Sequence, residues 1–77
     1  MGPSDLDLQA ELLRAYAECD LALVAELFVQ AARERDVVQD VDAACFFYTQ
    51  AYIHALEAGN EVVASVAHRQ LVTHGRD

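Results

Sequence analysis

The sequence predicts an all-α fold, a small four-helix bundle made of two antiparallel helical hairpins. No proline follows Pro3 and the only glycine away from the chain ends is Gly59, so little in the interior interrupts long helices. Hydrophobic residues make up 55% of the 77 residues, enough for a core, and they recur at helical spacing. Polar capping residues then divide the chain into four segments.

The first helix is predicted from about residue 5 to residue 18. Ser4, followed three residues later by Asp7, is an N-terminal capping pattern that also places carboxylates at the positive end of the helix dipole. At about 100° per residue, charged and apolar side chains separate onto two sides of this helix. The side predicted to face the core carries Leu6, Ala10, Leu13, Tyr16 and Ala17, flanked by Leu8 and Leu12.

The second helix is predicted from the N-cap Asp20 to about Arg35. Because so few residues separate it from the first helix, the two should form an antiparallel hairpin. Its inward residues at helical spacing are Leu21, Val24, Ala25, Phe28 and Ala32, opposite the outward Glu26, Gln30 and Arg33.

The third and fourth helices form the second predicted hairpin. Asp40 or Asp42 caps the third helix, and Gly59 supplies the left-handed residue that ends it after Ala58. Asn60 caps a fourth helix that continues to about Val72. A chain of this length is too short for two cores, so one helical domain is predicted over 5–74, between tails at 1–4 and 75–77. Residues 1–3 are of a kind that expression vectors add, and no function is assigned to them.

The second hairpin also carries a likeness to a known family. Residues 58–64 (AGNEVVA) have glycine at the helix break and alanine five residues later, and the stretch of about 44–74 resembles a tetratricopeptide-like helical hairpin. This resemblance implies a helical hairpin with a protein-binding role. The chain departs from the family pattern at His68, where an aromatic ring is expected, and in a connection between hairpins that is about five residues longer. Two hairpins are also too few for the extended concave surface of an array.

A faint internal repeat relates the two halves of the chain. When the sequence is aligned with itself so that Glu18 matches Glu57, two further identities fall in the same short window, Val24 with Val63 and Ala25 with Ala64. The repeat rests on these three identities alone.

The charge balance restricts the classes of partner. Thirteen acidic residues against five arginines and no lysine give a net charge of −8, which argues against nucleic acid and anionic membranes and favours a basic protein partner. Apolar runs fall well short of the roughly 18 residues of a membrane span, and the chain starts with Asp5 and Asp7 where a signal peptide would be cationic. The sequence therefore predicts a soluble cytoplasmic protein with no membrane association.

Catalytic and metal-binding patterns are not found. Cys19 and Cys45 lack the spacing of a zinc site and are predicted to lie at opposite ends of the bundle, about 15 Å apart, as buried thiols without a disulfide. No catalytic residue, cofactor or metal is predicted, and the chain is interpreted as a non-enzyme. The enzyme alternative would pair His54 with Glu57, on a strip of the third helix that is otherwise read as solvated surface.

The aromatic segment of the third helix is the most informative part of the sequence. Four of the six aromatic residues lie between positions 46 and 52, and three consecutive rings sweep about 200° around a helix. One neighbouring helix cannot cover this arc. Either the third helix is sandwiched between the first hairpin and the fourth helix, or at least one ring stays outside as an anchor for another chain. The candidate anchors are Phe46, Phe47, Tyr48 and Tyr52.

These features predict a small acidic protein-interaction module, an adaptor or antagonist that binds or sequesters a basic partner such as a DNA-binding regulator. Acidic residues would surround the aromatic anchors and steer the partner. The predicted rim comprises Glu11, Glu18, Glu26, Asp36, Asp40 and Asp42. The alternative is a structural or assembly subunit that acts through homo-oligomerisation, because domains below about 80 residues gain little net stability from their own core. A homodimer is the simplest such assembly.

Overall fold

The structure, a computed structural model, describes residues 5–76 and consists of four helices with short connections. They are α1 (Asp5–Ala17), α2 (Leu21–Val37), α3 (Val41–Ala58) and α4 (Glu61–Thr73). Helix α2 packs against the other three, and α3 lies between α2 and α4, in a body of 34 × 29 × 15 Å. The predicted all-α bundle of two antiparallel hairpins is confirmed. The predicted cap at Ser4 lies outside the described residues.

The same turn joins every pair of successive helices and recurs at a constant interval along the chain. In each turn a residue with φ between 56° and 71° is followed by the N-cap of the next helix: Cys19–Asp20, Gln39–Asp40 and Gly59–Asn60. The side chain of each cap accepts a hydrogen bond, of 3.1 to 3.3 Å, from the backbone N–H three residues later. The backbone N–H of each cap donates to the carbonyl five residues earlier. Each turn therefore satisfies the end of one helix and the start of the next.

The turn at Gln39 offers a direct test of this geometry. A side chain at a φ of 62° is strained, and glycine adopts that conformation freely. We expect Gln39→Gly to raise the free energy of unfolding by about 0.5–1 kcal/mol, measured by urea denaturation. The same substitution in the exposed interior of α2, Gln30→Gly, should lower it by about 1 kcal/mol. A loss of stability at both positions would contradict the left-handed turn.

The core is built largely from alanine, which lets the helices approach closely. Ala25, Ala55 and Ala64 meet in one cluster where α2, α3 and α4 converge. The inward face predicted for α2 is confirmed, with Val24, Ala25, Phe28 and Ala32 buried, and it is wider than predicted because α2 has neighbours on several sides. The buried residues of the described chain are Ala15, Val24, Ala25, Leu27, Phe28, Val29, Ala31, Ala32, Ala44, Cys45, Tyr48, Ala51, Ala55, Ala64, Ala67 and Leu71.

Helix α1 buries a different side from the one predicted. Ala15 is fully buried and Leu8 and Leu12 pack against the core, whereas Leu13 is 71% exposed and Ala10 is also exposed. The sequence of α1 is apolar on two overlapping sides, and only the position of α2 determines which of them is covered. Tyr16, at 45%, and Ala17 are exposed as well, so the prediction that Ala10, Leu13, Tyr16 and Ala17 face inward is wrong.

Two further sequence expectations are corrected by the helix ends. Helix α2 continues to Val37, so residues 38–40 alone connect the hairpins, and the connection is shorter than the sequence suggested. In the structure the turn at Cys19 corresponds to the turn at Gly59. This structural alignment differs by one position from the sequence alignment, which matched Glu18 with Glu57. The identities found in that alignment are consequently out of structural register.

Candidate protein-interaction surface

Tyr48, predicted to anchor a partner, is a core residue. Its side chain is 2% exposed. Burial raises the pKa of the Tyr48 hydroxyl above its ordinary value, and the carboxylate of Asp36 acts in the same direction, while the positive charge of Arg33 opposes both. Tyr48 cannot contact a partner without unfolding, so its assignment to an interaction surface is wrong. The angular spread of the rings is visible in the sequence, but the neighbours that cover them are not.

Phe47 and Phe46 lie on either side of the boundary between core and surface. The ring of Phe47 is half-buried and stacks on Phe28, with ring centres 6.1 Å apart. Phe46 is 58% exposed and meets the Phe47 ring edge-on at 5.5 Å. The sequence left two alternatives, a third helix sandwiched between its neighbours and a ring left exposed. Both occur, since Tyr48 of α3 is buried and Phe46 of α3 is exposed.

The exposed apolar residues of α3 form one line along the helix. Phe46, Ile53 and Leu56 are 58%, 44% and 56% exposed, and Thr49 lies between the first two. Spacings of three, four and three residues place these four side chains, here called the α3 stripe, on one side of the helix. Such spacing is typical of a helix that packs against another helix. Ile53 and Leu56 were not among the predicted anchors, although their spacing from Phe46 is visible in the sequence.

A shallow groove of about 340 Å³ lies between α3 and α4 and shares Leu56 with the α3 stripe. Within it the rings of Tyr52 and His68 are 5.8 Å apart. Tyr52, a predicted anchor, is partly buried and packs on both clusters of the core. The groove, here called the open groove, is lined by Tyr52, Leu56, Glu61, Ala64, Ser65 and His68.

Three of the predicted rim carboxylates are engaged within the chain. Asp40 caps α3. Asp36 lies 3.1 Å from Nε2 of His74, and Arg76 donates from Nη2 to Oδ1 of Asp42 at 2.5 Å. The C-terminal end, with His74 and Arg76, therefore folds back onto the acidic connection between α2 and α3. This hydrogen bond with Asp42 raises the pKa of Arg76 above its ordinary value.

The remaining predicted acids do not share one surface. Glu11 is half-buried on α1 and Glu18 is exposed in the α1–α2 connection. Glu26 lines a separate groove between α2 and α4. Among the predicted rim residues, Asp42 is the one that lines a depression with Phe46 of the α3 stripe. The rim predicted from the sequence is therefore dispersed, because its members lie on three helices and two connections.

Carboxylates outside the predicted rim stand at the other end of the α3 stripe. Glu57 is exposed and follows Leu56 directly, and Glu61 lines the open groove. With Asp42 at the opposite end, acidic groups border the apolar line at both of its ends. The short connection between α3 and α4 could have indicated Glu61, because it brings the start of α4 beside the end of α3.

His54 is a structural residue that joins α1 to α3. Its Nδ1 lies 2.8 Å from the carbonyl oxygen of Gln50, which can only accept, so this nitrogen carries the proton. Its Nε2 lies 2.8 Å from the hydroxyl of Tyr16, which then donates to it. The ring also packs on Phe28 at 5.4 Å. His54 is therefore not ordinary solvated surface, whereas Glu57 on the same strip is exposed.

The cysteines and the remaining ionisable groups offer little further chemistry. Cys19 and Cys45 are both free, as predicted, but Cys19 is exposed and only Cys45 is buried. In residues 5–76 no three histidine, cysteine or acidic side chains are grouped as metal ligands. None of the four helices described has both the length and the apolar character needed to cross a membrane.

Comparison with protein families, curated proteins and solved structures found no match for the chain. Its class is therefore defined by its own architecture. The protein is a small all-α bundle of two hairpins joined by recurring turns. Its distinguishing surface feature is the α3 stripe beside the open groove.

Proposed function

We propose that this protein is a small, acidic, cytoplasmic protein-interaction module, an adaptor or antagonist that binds a partner with a basic surface. The observation that carries the proposal is the α3 stripe, in which Phe46, Ile53 and Leu56 are exposed along one line of a well-packed helix. Large exposed apolar side chains in a contiguous arrangement are typical of protein-binding surfaces.

Charge supports a basic partner. The chain has a net charge of −8, and the carboxylate of Glu57 borders one end of the α3 stripe, whereas Asp42 at the other end is paired with Arg76. A field of one sign accelerates the encounter with a partner of opposite charge, while the apolar contact supplies most of the affinity. A DNA-binding regulator is one class of protein with the required basic surface, and sequestration of such a regulator would make this protein an antagonist.

Phe46→Asp is expected to abolish partner binding, because it places a charge in the apolar line and leaves the core unchanged. The partner captured by the wild-type protein would be identified, purified and measured by calorimetry. We expect at least about a hundredfold loss of affinity, as for a central interface residue. Val62→Asp is the matched control, since Val62 is 74% exposed and lines the separate α2–α4 groove.

Two outcomes would contradict the proposal. Equal affinity of Phe46→Asp and the wild-type protein would show that the α3 stripe is not the binding surface. An affinity unchanged between low and physiological salt would show that the partner is not recognised through charge.

The second candidate is a subunit that assembles with copies of itself. Its support is the spacing of the α3 stripe, which also suits packing against the same helix of a second copy. Sedimentation velocity over a hundredfold concentration range separates the two candidates. The interaction module stays monomeric, whereas an assembly subunit sediments faster as its concentration rises.

A further inference from the structure

The two hairpins are equivalent when the turn at Cys19 is matched with the turn at Gly59, and the same positions then face inward in both. Leu12 and Ala15 of α1 face the core, as do their equivalents Tyr52 and Ala55 of α3. The turns that set this register have the same backbone conformation and the same hydrogen bonds. The surface that one hairpin offers to its neighbour can therefore be compared with the corresponding surface of the other.

The first hairpin uses this surface to hold α3. The hydroxyl of Tyr16 in α1 donates a hydrogen bond to His54 in α3. The ring of Phe28 in α2 packs on His54 and on Phe47. In this arrangement α3 runs parallel to α1 and antiparallel to α2, since consecutive helices reverse direction at each turn.

The corresponding surface of the second hairpin is the open groove. Tyr16 corresponds to Leu56 and Phe28 to His68, and both equivalents line that groove. Phe28 is 9% exposed under α3, whereas His68 is exposed. One turn further along, buried Ala32 corresponds to Val72, which is 52% exposed. The open groove of the second hairpin is therefore equivalent to the surface that α3 covers on the first hairpin. No helix of the described chain packs across it.

A second copy of the protein, stacked end to end with the first, does not fit the open groove. The residues of α3 that contact the first hairpin, Phe47 and His54, correspond to Asp7 and Arg14 of α1. Helix α1 of another copy would thus bring a charged face to Leu56 and its neighbours. A polar face at one end of a repeated helical structure prevents such stacking.

We infer that the open groove binds an amphipathic α-helix of the partner, antiparallel to α4 and with lysine or arginine in its last turn. This inference rests on the proposed function and specifies how the partner is held. By the equivalence of the two hairpins, the C-terminal end of the bound helix lies near Glu61, just as the C-terminal end of α3 lies near Leu21. Cations at a helix C-terminus are favoured by the helix dipole, and the carboxylates of Glu57 and Glu61 stand at that end.

The probe that tests the inference is a synthetic peptide of residues 41–58 carrying Glu57→Arg, which has the contact residues of α3 and a cation in its last turn. It would be titrated into the full-length, isotope-labelled protein and followed by NMR. We expect saturable shifts of the backbone amides of Leu56, Ser65, His68 and Val72. A control peptide that also carries Phe47→Ala and His54→Ala lacks the contact side chains and should bind at least about tenfold more weakly.

Two further measurements test the orientation of the bound helix and the equivalence of His68 with Phe28. A spin label at the C-terminus of the peptide should broaden the amide signal of Glu61, and a label at its N-terminus should broaden that of Thr73. In the protein, His68→Phe restores the ring present at Phe28 and should tighten binding of the peptide several-fold.

Shifts confined to the α2–α4 groove around Val62, the reverse orientation, or no saturable shift at millimolar peptide would each overturn the inference. Peptide-induced self-association of the protein would also overturn it. Failure of this inference and failure of the proposed function can be distinguished. If the protein captures a partner but does not bind the peptide, only the inference of a helix in the open groove is rejected. If the protein binds the peptide and its partner still binds the Phe46→Asp variant, the proposed role of the α3 stripe is rejected.

Discussion

Tyr48→Ala is expected to lower the free energy of unfolding by about 3–5 kcal/mol, as truncation of a buried aromatic residue typically does. Tyr48 is the largest fully buried side chain of the described residues, and its removal leaves a cavity between α2 and α3. A domain of 77 residues has a total stability of roughly 4–12 kcal/mol, so the truncation should remove at least about a quarter of it.

Phe46→Ala is the matched control, on the same helix and two residues away. Because Phe46 is 58% exposed, its truncation should change stability by no more than about 0.5 kcal/mol. Urea denaturation followed by circular dichroism measures both variants. Similar losses for Phe46 and Tyr48 would show that α3 is rotated about its axis relative to this packing.

Phe28→Ala is expected to cost about 3–4 kcal/mol, because this ring links the two hairpins. It packs on Phe47 and on His54, and through His54 it supports the hydrogen bond with Tyr16. Loss of the ring should therefore loosen α1 as well as destabilise the core. Hydrogen exchange of the α1 amides should increase in the variant beyond the increase seen in α3.

The control for this prediction is the equivalent position of the second hairpin. His68→Ala should change stability by about 0.5 kcal/mol, since His68 is exposed, although its ring lies 5.8 Å from that of Tyr52. A much larger loss of stability at Phe28 than at His68 would support the assignment of the open groove as a helix-packing surface that the described chain leaves exposed. Equal costs at Phe28 and His68 would contradict that assignment.

The tetratricopeptide resemblance of the second hairpin stays a prediction. Gly59 does end α3 in the left-handed conformation, with a φ of 71°, and Ala64 is buried where α3 and α4 meet. The same turn, however, is formed at Cys19 and Gln39 without glycine. The turn geometry thus belongs to the whole chain and is not specific to the segment that resembles the family.

The amino-acid sequence by itself determined the four helices and approximately where α2, α3 and α4 begin. Asp20 and Asn60 were identifiable as N-caps, and Asp40 as one of two candidates, because capping depends on hydrogen bonds between near neighbours in the chain, which a local sequence specifies. The short connections between these helices then required antiparallel hairpins. The left-handed turns at Cys19 and Gln39 were not identifiable, since neither residue prefers that conformation.

Only the tertiary structure decided which apolar side chains are covered. Leu13 and Tyr48 both fit an inward-facing or an outward-facing role in the sequence, yet one is 71% and the other 2% exposed. The dispersal of the predicted acidic rim and the pairing of Asp42 with Arg76 also depend on contacts between distant segments. The physical reason is that burial is a property of the neighbouring helices, and a periodic pattern along one helix does not state where those neighbours lie.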